Sequence, residues 1–169
     1  MDARPSLTPA VAAIRALYDA AACSVALVGE DGATLTYVTA DGAGAAEIVG
    51  VELPVSRGIA GWTVMSGQPI AVRDVETDAR FARDVAEATH YVPTSILAAP
   101  LFDEEGEAAG VLSVLDPRVD QSADWTLTVL GTLAALVGLL VDGGEGDAGT
   151  DRLATLGRRV LAAVEELRP

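Results

Sequence analysis

Apolar positions near the start of the chain recur three and four residues apart, as on one face of a helix. The side chains that share this face are Val11, Ile14, Leu17 and Tyr18. Thr8 precedes them as a candidate N-cap, and Pro9 fits the first helical position because its fixed φ suits a helix start. Leu7 can pack back over the first turn. We therefore predict a helix that starts at Thr8 and ends near Ala21.

Two pairs of apolar runs flank short polar stretches, which predicts two antiparallel hairpins. The first pair is CSVALVG and ATLTYVT, joined at residues 30–32. The second pair, SILAAPLF and AAGVLSVLD, flanks DEEGE, and its nearly continuous apolar character predicts strands covered on both faces. Short strands at residues 51–55 and 69–72 complete a sheet of five or six strands. Pro54 argues for an edge or a strand end.

The stretch GIAGWTVMSGQPI, residues 58–70, predicts two turns of helix, with Ser56 as its N-cap and Gly67 as its C-terminal residue. Its glycines fit either a phosphate-binding loop or a short helix that packs closely on its neighbours. A phosphate loop needs a Lys with Ser or Thr after the glycines, whereas Trp62 and Thr63 stand here. We favour close packing, although the first amides of the helix could still donate to a carboxylate or a single phosphate.

The remaining elements are helical. Residues 74–84 predict a loop with helical tendency, which Asp74 is expected to cap or hold in place. Residues 82–89 predict a short helix before Pro93. Residues 122–141 predict a long helix whose small residues let a second helix approach closely, which makes them a candidate dimer interface. These small residues are Gly131, Ala134, Ala135 and Gly138. Residues 125–141 are only just long enough to span a membrane and have no basic cluster beside them, so we predict a buried or partner-facing helix and no membrane contact.

These elements predict one domain over residues 1–142, because a chain of 169 residues hardly supplies two cores. Residues 143–149 are rich in Gly and Asp and predict a flexible linker. Residues 150–169 predict a C-terminal amphipathic helix. Its apolar stripe consists of Leu153, Leu156, Val160, Val164 and Leu167.

Charge and cysteine content limit the classes of function. The chain has 11 basic residues, all Arg, against 25 acidic ones, and its net charge of -14 argues against nucleic acid as a partner. A single cysteine, Cys23, excludes an internal disulfide, a redox pair and a multi-thiolate metal site. The first residues contain no uninterrupted apolar core, so we predict no signal peptide and a cytoplasmic location.

Two stretches and the order of elements carry a family resemblance. LPVSRGIAGWTVMSGQPIAVRDVETDARF and SILAAPLFDEEGEAAGVLSVLD resemble the central motifs of GAF domains, the small sensory modules of bacterial and eukaryotic signalling proteins. The resemblance covers residues 7–141 and suggests a bacterial member. It implies an α+β fold with a central antiparallel sheet, the terminal helices on one face, and short helices and loops over a pocket on the other. It also implies that the first and last helices form a dimer bundle.

The layout of GAF domains places several residues of this chain at the pocket. The candidate ligand-binding residues are Trp62, Phe81, His90, Tyr91, Ser95 and, as an anion anchor, Arg73. Arg80 and Arg83 are further candidate anchors. For Trp62 and Phe81 the alternative is ordinary core packing, and for the arginines it is a solvated surface.

Known chemistries of the family fit this chain poorly, and we predict no cofactor and no metal. Without Asn or Lys, the chain cannot complete the Asn-Lys-Phe-Asp-Glu signature of the GAF domains that bind cyclic nucleotides in phosphodiesterases. This argues against that lineage and leaves cyclic-nucleotide binding itself open. Bilin-binding members use a Cys, commonly followed by His, where Thr89 and His90 stand here, and His90 is the single candidate for a haem ligand. Free methionine sulfoxide reductases need several cysteines. The acidic turn at residues 103–107 is interpreted as a solubilising loop.

The leading hypothesis is a non-catalytic sensory or regulatory domain, soluble, cytoplasmic and dimeric. It would bind an unidentified small molecule and signal through its terminal helices to an effector protein in trans. The alternative is a protein-interaction or dimerisation scaffold whose pocket is filled by its own side chains. A third possibility is an enzyme of the free methionine sulfoxide reductase type.

Overall fold

A computed structural model describes residues 7–120 and 124–141. Six strands form one sheet: β1 Ala22–Val28, β2 Thr34–Gly42, β3 Glu52–Pro54, β4 Ile70–Val72, β5 Ile96–Phe102 and β6 Ala108–Leu115. Within these residues five helices accompany it: α1 Thr8–Leu17, α2 Ala45–Ile48, α3 Gly58–Ser66, α4 Arg83–Ala88 and α5 Asp124–Val141. The same residues include a 3₁₀ turn at Val75–Thr77. The predicted linker at 143–149 and the predicted helix at 150–169 lie outside the described residues.

The strands are antiparallel throughout and lie in the order β3-β2-β1-β6-β5-β4. Both predicted hairpins are present, as β1–β2 and β5–β6, and β1 pairs with β6 to join them. Pro54 lies in the edge strand β3, where its missing N–H leaves no inner strand unpaired. The predicted α+β class with a central antiparallel sheet of five or six strands is confirmed, and the sheet has six.

One face of the sheet packs against α1 and α5. Because strand side chains alternate between faces, every second residue of the central strands enters this core. Its strand members include Cys23, Val25, Leu97, Leu112 and Val114. Tyr18, fully buried, donates a 2.8 Å hydrogen bond from its hydroxyl to the carbonyl of Thr126, which links the end of α1 to the start of α5.

The opposite face packs against α3, where the glycines serve close packing. A Cβ on Gly61 would lie 2.3 Å from the carbonyl oxygen of Val55, so α3 rests directly on backbone. Gly67 ends the helix with φ +63°, a left-handed conformation that glycine adopts without steric cost. Close packing is thus supported at Gly61, and Gly67 ends the helix as predicted.

Several predicted boundaries are wrong by a few residues. The Thr8 hydroxyl lies 3.2 Å from that of Thr39, and Leu7 occupies the N-cap position instead. Helix α1 ends at Leu17, before the predicted Ala21, because Asp19 turns the chain with φ +44°.

The middle of the chain gives two further corrections and one confirmation. Arg57 replaces Ser56 as the N-cap residue of α3. Helix α2 interrupts the stretch ADGAGAAEIVG, residues 40–50, whose Gly and Ala content predicts a loop. Asp74 caps the 3₁₀ turn as predicted, since its Oδ1 accepts a 3.1 Å hydrogen bond from the amide of Glu76.

The small residues of α5 do not share one outward face, which corrects the predicted interface. Ala134 is buried in the core with α1, and a Cβ on Gly138 would lie 3.2 Å from the carbonyl oxygen of Phe102. Both residues therefore pack against their own sheet. A Cβ on Gly131 would meet no atom within 4 Å, and Ala135 is half-buried, so an interface at these two positions stays a prediction.

Helix α5 is also long and apolar enough to cross a membrane, judged by length and composition alone. Its 18 residues have a mean hydropathy of 1.8, and 28% of them are buried inside the protein. The buried ones attach the helix to the sheet, as a core helix of a soluble domain would be attached. The absence of membrane contact stays a prediction.

Candidate ligand-binding cavity

A cavity of about 100 Å³ lies between the sheet and the short helices, on the face opposite α1 and α5. Strands β1, β2 and β6 form its floor, and α2, α3 and α4 with their flanking loops form its walls and roof. The floor contributes Ser24, Tyr37 and Ser113, and the roof contributes Ile59, Val85 and Ala86. A pocket under the short helices is where the family layout led us to expect one.

Two serines lie side by side on the cavity floor. Ser24 and Ser113 are direct cross-strand partners in the antiparallel pair β1–β6, so their side chains point to the same face. They are 7% and 6% exposed, respectively. Among the described residues, neither hydroxyl has a hydrogen-bond partner. Buried hydroxyls are normally paired, so this unpaired couple marks a place where a further polar group fits.

Tyr37 adds a third hydroxyl to the same cavity. It projects from β2, the neighbour of β1, and its hydroxyl likewise has no partner in the described part of the chain. Desolvation by the surrounding protein raises the pKa of Tyr37 from its ordinary 10.0 to about 12. The phenol therefore stays protonated near neutral pH and can both donate and accept a hydrogen bond.

Asp116 fixes one rim of the cavity. Its Oδ1 accepts hydrogen bonds of 2.8 Å from the amides of Thr94 and Ser95. Its Oδ2 accepts a hydrogen bond from the hydroxyl of Tyr91. Burial and the neighbouring carboxylate both raise the pKa of Tyr91, so that hydroxyl stays a donor. The network holds the segment between α4 and β5 in place, and Tyr91 and Pro93 of this segment line the cavity.

Two of the six predicted site residues line the cavity, namely Phe81 and Tyr91. Trp62 does not, because the buried face of α3 is formed by Ile59, Ala60 and Thr63, which leaves Trp62 at the margin. There the guanidinium carbon of Arg80 lies 4.8 Å from the ring centroid, over a shallow surface groove. The prediction that Trp62 forms part of the cavity wall is therefore wrong, since its side chain lies beside the surface groove.

The other three residues also lie elsewhere. Ser95 is buried, but its amide and side chain face Asp116 rather than the cavity. His90 follows the C-cap residue of α4, has φ +58° and is exposed to solvent. Arg73 is exposed and has no ion-pair partner among the described residues. None of the three is in a position to contact a molecule in the cavity.

The two further candidate anion anchors are already paired. Arg80 donates from Nε to Asp78 at 2.9 Å, and Arg83 lies 3.4 Å from a carboxylate oxygen of Glu76. The Arg80 guanidinium holds the pKa of Asp78 below its usual value. These two arginines stabilise the loop before α4, and neither is free to bind an anion in the cavity.

The lone cysteine is placed away from the cavity chemistry. The Cys23 side chain packs in the core beneath α1 and α5, fully buried. Burial is the main cause that raises its pKa from 9.0 to about 12, so the thiolate is scarce at neutral pH. Among the residues that the structure describes, no cluster of three His, Cys, Asp or Glu could hold a metal ion.

The floor hydroxyls were not among the predicted site residues, although the sequence does carry a signal for them. Ser24 and Ser113 each interrupt an apolar strand, in CSVALV and VLSVL. A small polar residue inside an otherwise buried strand needs a partner, and the apolar letters on either side of each serine already indicate that need.

Comparison with known proteins decides the family. The model of the GAF domain family matches residues 2–141, most of the chain. The chain belongs to the GAF domain family. Solved GAF structures agree in fold: the GAF domain of a phosphoenolpyruvate-protein phosphotransferase from Acinetobacter superposes with a TM-score of 0.67 at 19% identity, over 82% of this chain and 85% of that one.

An enzyme shares this GAF fold as well. The free methionine-R-sulfoxide reductase of Neisseria meningitidis, solved with its substrate, superposes with a TM-score of 0.66 at 20% identity, over 80% of this chain and 75% of the enzyme. At such identities the likeness shows the fold alone.

A curated relative matches a part of this chain in sequence. Dual 3',5'-cyclic-AMP and -GMP phosphodiesterase 11A of Takifugu rubripes is 29% identical over 66 residues. The match spans 39% of this chain and 7% of that phosphodiesterase. It therefore relates a part of one domain, not the two whole proteins.

Proposed function

We propose that this GAF domain is a non-catalytic sensor that binds a small molecule in the cavity and signals through α1 and α5. The observation that supports it is the pair of buried, unpaired hydroxyls on the floor of a cavity with an otherwise largely apolar lining. A buried hydroxyl without a partner costs about 1–3 kcal/mol. A ligand that pairs with Ser24 and Ser113 recovers that free energy, which is a driving force for binding.

The route of the signal follows from the position of the floor. The strands that carry the serines also carry Val25 and Leu112, which pack beneath the terminal helices. We expect each spacing of β1 and β6 to favour a different packing of α1 and α5. A ligand with a higher affinity for one of these two states shifts the population toward it, by an amount set by the difference in affinity. No separate relay element is required.

The receiving surface in this proposal is a second copy of the chain. Leu17 on α1 is 56% exposed, and Trp125 and Leu140 on α5 are 36% and 40% exposed, although the chain as a whole is strongly acidic. Exposed apolar side chains on neighbouring helices are typical of an interaction surface. We propose a cytoplasmic homodimer that pairs through these helices and acts on an effector protein in trans.

The scaffold alternative shares the dimer and differs in the cavity. A scaffold has no use for unpaired hydroxyls in its interior and would be more stable with apolar residues there. The sulfoxide reductase alternative requires a reactive thiolate, and the chain's one cysteine is fully buried with its pKa raised to about 12. Both alternatives therefore rank below the sensor.

Native mass spectrometry of the purified chain tests ligand and dimer together. We expect a dimer whose mass exceeds that of two polypeptides by a small molecule, and a monomer that keeps the molecule in Leu140→Glu. Gln68→Glu adds the same charge on an exposed loop away from α5 and should stay dimeric. A wild-type mass equal to the polypeptide alone favours the scaffold, and an unchanged dimer in Leu140→Glu contradicts the proposed surface.

A further inference from the structure

We infer that the cavity selects an uncharged molecule of about four or five heavy atoms, with one hydrogen-bonding head group and an apolar body. The inference rests on the proposed sensor function and adds the chemical class of its ligand. Three observations carry it, namely the volume of the cavity, the absence of charge on its described lining, and the grouping of its hydroxyls.

Volume limits the size of the molecule. An apolar cavity of roughly 150 Å³ holds one benzene, which has six heavy atoms. At the same packing, the cavity of about 100 Å³ holds about four. A cyclic nucleotide has about twenty heavy atoms, far outside that limit, and ligand pockets for drug-sized molecules measure roughly 300 Å³ or more.

Charge on the lining limits the class. None of the described residues that line the cavity has an acidic or basic side chain, and its tyrosines stay protonated near neutral pH because their pKa values are raised. The nearby arginines pair with carboxylates outside it. Transfer of an ion from water into such a site costs several kcal/mol when no opposite charge receives it. The first turn of α3, which lines one side, offers amide donors that an uncharged oxygen also accepts.

The hydroxyls locate the head group. Ser24 and Ser113 face each other across β1 and β6, and Tyr37 follows on β2, so an oxygen placed between them meets groups that both donate and accept. An alcohol, a ketone or a small amide satisfies this arrangement. The rest of the lining is mainly apolar and contacts the body of the molecule through side chains such as Ile48, Leu53, Ile59, Val85, Ile96 and Leu115.

The test compares three probes that each have five heavy atoms and differ in their head groups: 1-butanol, propionate and butylammonium. Each is titrated into the full chain near neutral pH, and binding is followed by backbone amide NMR shifts. We expect 1-butanol to shift the amides of Ser24 and Ser113 in a saturable way. Propionate and butylammonium at the same concentrations should leave them in place.

Alanine variants of the two floor serines test whether the head group of the ligand binds at the cavity floor. Ser24→Ala and Ser113→Ala should each weaken 1-butanol about fivefold to tenfold, the loss of one hydrogen bond of about 1 kcal/mol. Because each removes an unpaired buried hydroxyl, both should fold and be at least as stable as the wild type. Ser56→Ala removes an exposed hydroxyl away from the cavity floor and serves as the matched control.

The outcomes separate the ligand class from the sensor function. Binding of propionate or butylammonium in place of 1-butanol overturns the uncharged class and leaves a ligand-binding cavity standing. Equal affinity of 1-butanol for the wild type and both alanine variants overturns the role of the serines. Saturable shifts with none of the three probes overturn the whole inference, whereas the sensor proposal is judged by the native mass, which needs no probe.

Discussion

Tyr18 and Tyr37 are shielded phenols that differ in one respect. The hydroxyl of Tyr18 donates to a carbonyl of α5, whereas the hydroxyl of Tyr37 faces the cavity without a partner among the described residues. We expect Tyr18→Phe to lower the free energy of unfolding by about 1–2 kcal/mol, because it removes a buried hydrogen bond. Tyr37→Phe, the matched control, should change it by less than about 0.5 kcal/mol. Urea unfolding of the purified variants measures both, and equal losses would contradict the assignment of partners.

Individual site residues were the least predictable part of the molecule. Phe81 and Tyr91 could be named because the family layout places their segments at the pocket. Trp62 could not be placed correctly, since one register of a short glycine-rich helix decides whether an aromatic ring faces inward. Ser24 and Ser113 were not predicted as site residues because their role depends on which face of the sheet the terminal helices cover. The alternation of side chains along a strand does not identify that face.

Gly61 in α3 is crowded by neighbouring backbone, whereas Gly131 in α5 has open space beside it. A Cβ on Gly61 collides with the backbone of Val55, while a Cβ on Gly131 meets open space. Gly61→Ala should therefore destabilise the fold by about 1–3 kcal/mol, the usual cost of overpacking against groups that cannot move aside. Gly131→Ala should be neutral or stabilise by up to about 1 kcal/mol, because alanine favours a helix.

Thermal unfolding followed by circular dichroism measures this second pair. A melting temperature that falls for Gly61→Ala and holds or rises for Gly131→Ala is the expected result. A loss of stability in Gly131→Ala would mean that the outer side of α5 is already packed in solution, which would support a close helix contact there.

Elements with a strong local pattern were predictable. Both hairpins follow from apolar runs around turn residues, and α5 follows from a long apolar stretch. The ends of elements were not, because they depend on single backbone conformations such as the left-handed Asp19 after α1. Helix α2 was missed because four residues rich in alanine carry no periodicity that a sequence pattern can reveal.

The whole molecule should lose stability at alkaline pH. Burial raises the pKa of Cys23, Tyr18 and Tyr37 to about 12 in the folded chain, from 9.0 for the thiol and 10.0 for the phenols. Above pH 9.0 for the thiol and 10.0 for the phenols, the unfolded chain releases protons that the folded chain keeps. The free energy of unfolding therefore falls as the pH rises toward about 12. Each group contributes about 1.4 kcal/mol per pH unit within its window.

Urea midpoints measured from about pH 8 to about pH 11 test this slope. The chain has no lysine, whose titration near pH 10 would otherwise overlap with the phenols. Tyr37→Phe should make the decline of the urea midpoint with pH shallower, because the variant has one phenol fewer whose pKa is raised by folding. A midpoint that stays constant to pH 11 would show that these groups ionise as readily in the folded chain as in the unfolded one.

The architecture of the whole domain was predictable mainly through the GAF resemblance. Apolar patterning alone gives the strands and their pairing into hairpins, but the pairing of β1 with β6 joins residues about ninety positions apart. No local pattern encodes such a contact. The cavity depends on it too, because its floor exists where the two hairpins meet.

Ser24 is flanked by Cys23 and Val25, and Ser113 by Leu112 and Val114, so consecutive residues of both strands touch opposite sides of the protein. Consecutive Cα atoms are fixed about 3.8 Å apart, and a strand does not stretch. In the proposed sensor, a twist of β1 or β6 about its own axis toward a bound head group would tilt the neighbouring side chains against α1 and α5 in the same movement. Input and output would then be separated by a single peptide unit.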